Sequence, residues 1–256
     1  MTDKYAFDVI IPARYGAQRL PGKPLADVAG KSLVQRVYEC ARLSSAERVV
    51  VATDDQRVAD AVNAFDGRVV MTAPGHPSGT DRLHEVLDVL KVADDRIIVN
   101  LQGDEPLMPA VLIDQVASLL NHSDIASMAT VSCPLHDKSE YHNPDVVKVV
   151  TNTRGEAMYF SRAPIPSYRE RNAGGDLALV QRHIGLYAYR AGFIRKYTHY
   201  PVCDLEATEK LEQLRALWNG HIIICAEAIE LPGPGVDNAA DLARVCDFFQ
   251  NRELNG

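Results

Sequence analysis

The chain has 256 residues, 46% hydrophobic and 24% charged, which is enough apolar content for a large core and too much for disorder. A formal net charge of -7 and a pI of about 5.6 exclude a general nucleic-acid or anionic-membrane surface, since such a contact would work against the global field. Five cysteines (Cys40, Cys133, Cys203, Cys225 and Cys246), odd in number and never in a Cys-x-x-Cys pair, exclude a disulfide framework and a zinc site.

In chain order, the apolar run Val9 to Ile11 predicts a first strand that ends at Pro12. The loop after it, ARYGAQRLPGKPL, places Arg14, Arg19 and Lys23 together with no acidic residue, and its glycines let backbone N–H groups approach a ligand. Such a loop is built for a polyanion, most often phosphate. It is not a Walker A loop: Gly16 to Gly22 spans one residue too many, and Pro24 stands where the metal-binding hydroxyl belongs. The glycine spacing also fails the dinucleotide-binding fingerprint.

Apolar positions Leu33, Val34, Val37, Cys40, Ala41 and Leu43 predict a helix over 31–43, followed by a Val-rich strand at 48–52. Capping residues at 53–55 lead into a helix with Val58, Ala61, Val62 and Phe65 on one face, and 69–71 is a third strand. The polar turn GHPSGTDRL precedes a helix carrying Leu83, Val86, Leu87 and Leu90, with Ser78 or Thr80 as its cap. The near-continuous apolar stretch 96–101 predicts a strand covered on both faces, running into Gln102-Gly103-Asp104-Glu105-Pro106 and a helix over 110–120.

Strands alternating with helices predict an α/β fold, doubly wound, with a mostly parallel sheet flanked by helices. Ligands of such sheets sit at strand C-terminal ends, so the loops at Arg14, Thr53, Ser78 and Gln102 are expected to share one edge. From about 121 to 190 the texture turns to short β-rich pieces at 125–132, 146–151, 157–161 and 183–189, which reads as an inserted antiparallel β lobe within a single domain spanning 1–256. Residues 168–176 are the most loop-like in the chain. One amphipathic helix is expected over 205–217, a strand over 222–226, and a last helix capped by Asp237 and ending near Phe249. For Asp104 the residues alone leave a turn aspartate or a metal ligand open, and for Asp237 they favour the helix cap. With no basic, apolar leader and no run of membrane-spanning length, the expectation is a cytoplasmic chain with no membrane insertion.

The stretches PARYGAQRLPGKPL, HPSGTDRL, NLQGDEP, YFSRAPIP, RHIGLYAYR, LEQLR and PGPGVDNAADL fall in the order and approximate spacing of the 3-deoxy-manno-octulosonate cytidylyltransferases, or CMP-KDO synthetases, within the sugar nucleotidyltransferase superfamily. The chain resembles that family over nearly its whole length. The resemblance implies a nucleotide-diphospho-sugar-transferase-like fold, and transfer of CMP from CTP to the anomeric hydroxyl of the acid sugar KDO with release of pyrophosphate, for lipopolysaccharide synthesis. It implies that Arg14, Arg19 and Lys23 hold the triphosphate, that Ser78 and Gly79 lie by the cytosine, and that Gln102 sits between nucleotide and sugar. Mg2+ would be held by Asp104 and Asp237, which with Arg14 and Lys23 make up the catalytic set. Arg162, His183, Tyr187, Glu212 and Gln213 would form the sugar side. Related enzymes often carry serine where this chain has Ala17, which leaves the loop one hydroxyl short. A homodimer is expected through the β-rich segment.

Overall fold

The computed structural model describes residues 5–16, 20–169 and 177–253, so Ala17, Arg19 and residues 170–176 of the polar loop lie outside the described residues. The first half alternates as the periodicity predicts: β1 (Phe7–Pro12), a small hairpin of β2 (Asp27–Val28) and β3 (Lys31–Ser32), α1 (Leu33–Arg42), β4 (Arg48–Thr53), α2 (Gln56–Ala64), β5 (Val69–Met71), α3 (Gly79–Val89), β6 (Ile97–Asn100) and α4 (Ala110–Asn121). The second half runs β7 (Met128–Pro134), α5 (Lys138–His142), β8 (Lys148–Thr151), β9 (Ala157–Ser161), β10 (Gln181–Arg190), α6 (Ala191–Tyr197), α7 (Asp204–Glu209), α8 (Gln213–Trp218), β11 (Ile223–Glu227) and α9 (Ala239–Glu253).

The central sheet has the order β11-β7-β10-β6-β1-β4-β5, parallel throughout except for β10, which runs antiparallel to both β6 and β7. The β-rich segment is therefore not set apart from the parallel sheet as a whole. Its first and last strands, β7 and β10, complete the sheet, and only the β8–β9 hairpin stands off, paired to the start of β10. Alternation along each strand divides the core between two faces. Val9, Ile11, Val49, Val51 and Val99 pack with α1, α2 and α4, while Ile10, Val50 and Ile98 pack with α3 and α6. At the strand N-terminal end, away from the ligand edge, buried Asp8 accepts from Arg48 at 2.5 Å and Arg96 at 2.5 Å, tying the starts of β1, β4 and β6 together.

Two differences from the sequence reading bear on the site. The expected helix over 205–217 is broken at Lys210, which takes a left-handed conformation with φ 55°, so α8 starts afresh and turns Glu212 and Gln213 toward the sheet edge. The halves are rejoined by a buried bidentate pair: Arg215 donates to both Glu206 oxygens at 2.7 and 2.5 Å, and its guanidinium lies 4.6 Å from the Tyr197 ring centroid. The cap of α9 also differs. Asn238, and not Asp237, accepts from the N–H groups of Ala240 at 2.9 Å and Asp241 at 3.1 Å, while Asp241 accepts in return from the N–H groups of Asp237 and Asn238. No helix among the described residues is long and apolar enough to cross a membrane.

Removing one member of a buried ion pair strands the other, so Arg215→Ala is expected to lower stability by about 3–5 kcal/mol, read as a shift of the urea midpoint at constant slope. Asn238→Ala is expected to cost about 1 kcal/mol and Asp237→Asn much less, since only the former removes a cap.

Candidate active site

The basic loop leaves β1 at Pro12 and passes close beneath the loop after β6. A Cβ on Gly103 would stand 2.7 Å from the Pro12 carbonyl oxygen, so a side chain there would force the two loops apart. Gly22, left-handed at φ 73°, turns the chain into a short 3-10 turn, Lys23–Leu25, that aims Lys23 back at the sheet edge. The Lys23 ammonium lies 2.6 Å from Asp104 Oδ2 and 3.5 Å from Asp237 Oδ1. Arg14 donates to the His76 carbonyl; the His76 ring pairs with Glu85 at 2.5 Å, and Glu85 accepts the Ala73 N–H at 2.8 Å. The loop before α3 is thereby fastened to the basic loop. Ser78 caps α3, accepting the Asp81 N–H at 3.2 Å and donating to the Asp81 carboxylate at 2.6 Å, and Gly79 opens the helix.

With Asn238 serving as cap, the Asp237 carboxylate faces Lys23. Glu105 adds a third acid here. Burial, reinforced by the negative charges of Asp104 and Asp237, pushes its carboxyl up to about 7.

Beside this cluster opens a cavity of about 510 Å3, whose lining includes Asp237 and seven of the other residues expected to bind substrate: Gly79, Gln102, Arg162, His183, Tyr187, Glu212 and Gln213. Their convergence has a backbone cause. In β10 the register against β7 slips between Ile184 and Tyr187 by two residues, which preserves parity, so His183, Tyr187 and Tyr189 stay on one face with successive ring centroids 5.2 and 5.9 Å apart. Thr130 fills the bulge by donating to the Leu186 carbonyl at 2.8 Å, so its oxygen accepts from His183 Nε2 at 3.0 Å and leaves Nδ1 an acceptor. Burial pushes the His183 ring down to about 3, so it is neutral near pH 7 and offers hydrogen bonding, not charge, to an acidic ligand. Burial likewise raises the Tyr187 hydroxyl and the Glu212 carboxyl, the latter accepting from Thr80 at 3.1 Å.

Arg162 is less free than its sequence position suggests. Its Nε donates to the Glu209 carbonyl at 2.7 Å and its Nη1 to the Pro144 carbonyl at 2.9 Å, while its backbone N–H meets the Glu209 carboxylate at 2.9 Å. Behind it, fully buried Lys148 donates to the carbonyls of Asn143, Val146 and Arg162 at 3.0, 2.6 and 2.6 Å, with its ammonium pushed below the usual lysine range by burial. The structure also adds lining residues that sequence reasoning missed: Thr80, Asn100, Asp145, Arg182, Tyr189 and Lys210. A polar residue inside the apolar run IIVNL was the available signal for Asn100; Lys210 gave none.

Glu105 supplies a test of the acidic cluster. Between pH 4.5 and 7 the folded protein holds a proton on this group that the unfolded chain has released, so stability falls as pH rises through that window. In ligand-free, chelator-treated protein, Glu105→Gln is expected to gain melting temperature relative to wild type as pH goes from 4.5 to 7, measured by calorimetry; a pH-independent difference would contradict the raised carboxyl.

Residues 9–228 match the family model described as cytidylyltransferase. The 3-deoxy-manno-octulosonate cytidylyltransferase of Hahella chejuensis is 54% identical over 245 residues, covering 94% of this chain and 96% of the relative. That of Vibrio parahaemolyticus is 54% identical over 243 residues, covering 94% and 96%. A solved CMP:2-keto-3-deoxy-manno-octonic acid synthetase complexed with CTP superposes with a TM-score of 0.89 at 42% identity, covering 97% of this chain and all of that one. At 12% identity and a TM-score of 0.64, covering 96% and 99%, a 4-diphosphocytidyl-2C-methyl-D-erythritol synthase shares the fold. The chain belongs to the family of 3-deoxy-manno-octulosonate cytidylyltransferases.

Proposed function

We propose that the protein transfers CMP from CTP to the anomeric hydroxyl of KDO, giving CMP-KDO and pyrophosphate for lipopolysaccharide synthesis. The observation that carries this reading is the meeting of Lys23, Asp104 and Asp237 beside a cavity lined by hydrogen-bonding side chains from β10 and α8. Relatives more than half identical, and a neighbour solved with CTP, support the same reaction.

The sugar hydroxyl attacks the α-phosphorus in line, its oxygen forming the new P–O bond as the bond to pyrophosphate breaks and its proton passes to water. The chain contributes positioning and charge. Arg14 and Lys23, with Arg19 from outside the described residues, neutralise the departing pyrophosphate, while Gln102 lies between the two substrates. Neutral His183 and the Tyr187 hydroxyl hold sugar hydroxyls, as do Glu212 and Gln213, and Arg162 presents the donors its carbonyl partners leave over to the sugar carboxylate.

Asp104 and Asp237 fit Mg2+. Two carboxylates from different loops converge on one cation, and with Glu105 beside them the negative charge exceeds what Lys23 balances. A nucleotide-bound Mg2+ takes one or two protein carboxylates and completes its shell with phosphate oxygens and water. Bound there, it would neutralise and orient phosphate oxygens. Exposed Met158 and Leu179 in the β-rich segment support a homodimer, and the expected compartment is the cytoplasm.

Lys23→Ala is expected to lower turnover about a hundredfold, equivalent to about 3 kcal/mol of transition-state stabilisation. Pyrophosphate release over a matrix of CTP, UTP and ATP against KDO and a sialic acid tests the substrates: release is expected with CTP and KDO, and equal release with another pair would refute the assignment. Asp237→Asn is expected to raise the Mg2+ concentration needed for half-maximal rate while the melting temperature stays near wild type.

A further inference from the structure

Asn100 closes β6 two residues before Gln102, with Tyr187 of β10 as its register partner. Strand parity puts its side chain on the face of Ile98 and Tyr187, toward the cavity, which it lines. It is 3% exposed, and its Oδ1 has no hydrogen-bond partner among the described residues. The neighbouring Thr80 hydroxyl donates its proton to Glu212 at 3.1 Å, so it is not a donor to Oδ1.

A buried amide oxygen without a partner is costly, and an apolar residue of similar size would remove the cost. Every other residue of β6 is apolar and buried, so nothing in sheet packing calls for an amide at this position. What Oδ1 lacks is a donor, and a ligand hydroxyl entering the cavity would supply one.

We propose that Asn100 is a specificity-determining residue that accepts a hydrogen bond from one hydroxyl of the acceptor sugar. This rests on the functional reading above, with the sugar on the β10 side of the cavity. A sugar lacking that hydroxyl leaves Oδ1 orphaned and is rejected, whereas the correct sugar satisfies it on binding.

The test is steady-state kinetics of wild type, Asn100→Leu and Asn100→Ala with CTP, KDO and a set of monodeoxy KDO analogues, together with melting temperatures. For the variants the KM for KDO is expected to rise about tenfold with the KM for CTP unchanged. One monodeoxy analogue that wild type discriminates against is expected to be used by Asn100→Ala as well as KDO itself. The melting temperature of Asn100→Leu is expected to hold or rise. An active wild type whose variants keep the KM for KDO, or lose affinity for CTP instead, would overturn the role of Asn100 alone. A lowered melting temperature in both variants with unaltered discrimination among the analogues would reduce the residue to a structural one. Wild type inactive on CTP and KDO would overturn the functional reading and this inference with it.

Discussion

The site depends on one charge arrangement: a single lysine ammonium shared by two carboxylates that reach it from loops far apart in sequence. Lys23 comes from the turn after β1, Asp104 from the loop after β6 and Asp237 from the segment before α9. Each segment is placed by its own local rule: left-handed Gly22, the close approach permitted by Gly103, and the Asn238 cap that releases Asp237. The cluster is thus assembled by backbone geometry before any side chain chooses a rotamer. With Glu105 beside them the acids outnumber the lysine, and burial keeps Glu105 protonated more easily than it would be in water. The resulting imbalance leaves the edge able to take further positive charge.

Much of the fold was legible because each strand of the parallel half is an apolar run and each crossover helix carries a clear stripe. Loops following strands must gather at one edge, and Arg14, Lys23, Gly79 and Gln102 did so. What was hidden has physical reasons. The break at Lys210 requires a lysine in a left-handed conformation, for which no sequence signal exists, and the buried Arg215 and Glu206 that hold the two halves look on paper like ordinary solvated helix charges. The sequence DNAAD offers two candidate caps one residue apart, and the choice between them is set by where the incoming chain must run, a tertiary matter. The antiparallel character of the 183–189 stretch was expected, but its place between β6 and β7 in the central sheet was not, since the choice of partner strands leaves no mark on a strand's own residues.

Candidate residues divided according to what else the fold asks of them. His183 and Tyr187 line the cavity because the bulge in β10 preserves parity, and burial leaves the His183 ring neutral. Ser78, one of the two residues expected to cap α3, does so, and its hydroxyl is engaged in that cap. Arg162 is at the cavity with part of its guanidinium committed to the chain around it. Position was readable from sequence, whereas chemical availability depended on neighbours that only folding supplies.

The wall built by Arg162 and Lys148 has a consequence for how this protein can change over evolutionary time. Both cations grip main-chain carbonyls, of Glu209 and Pro144 in one case and of Asn143, Val146 and Arg162 in the other. A carbonyl is the same group whichever side chain it carries, so this wall is specified by the path of the backbone and not by the letters along it. A substitution that leaves the path intact keeps these acceptors in place, whereas a single insertion or deletion there would move several of them at once. What this wall asks of the segment is its length more than its composition.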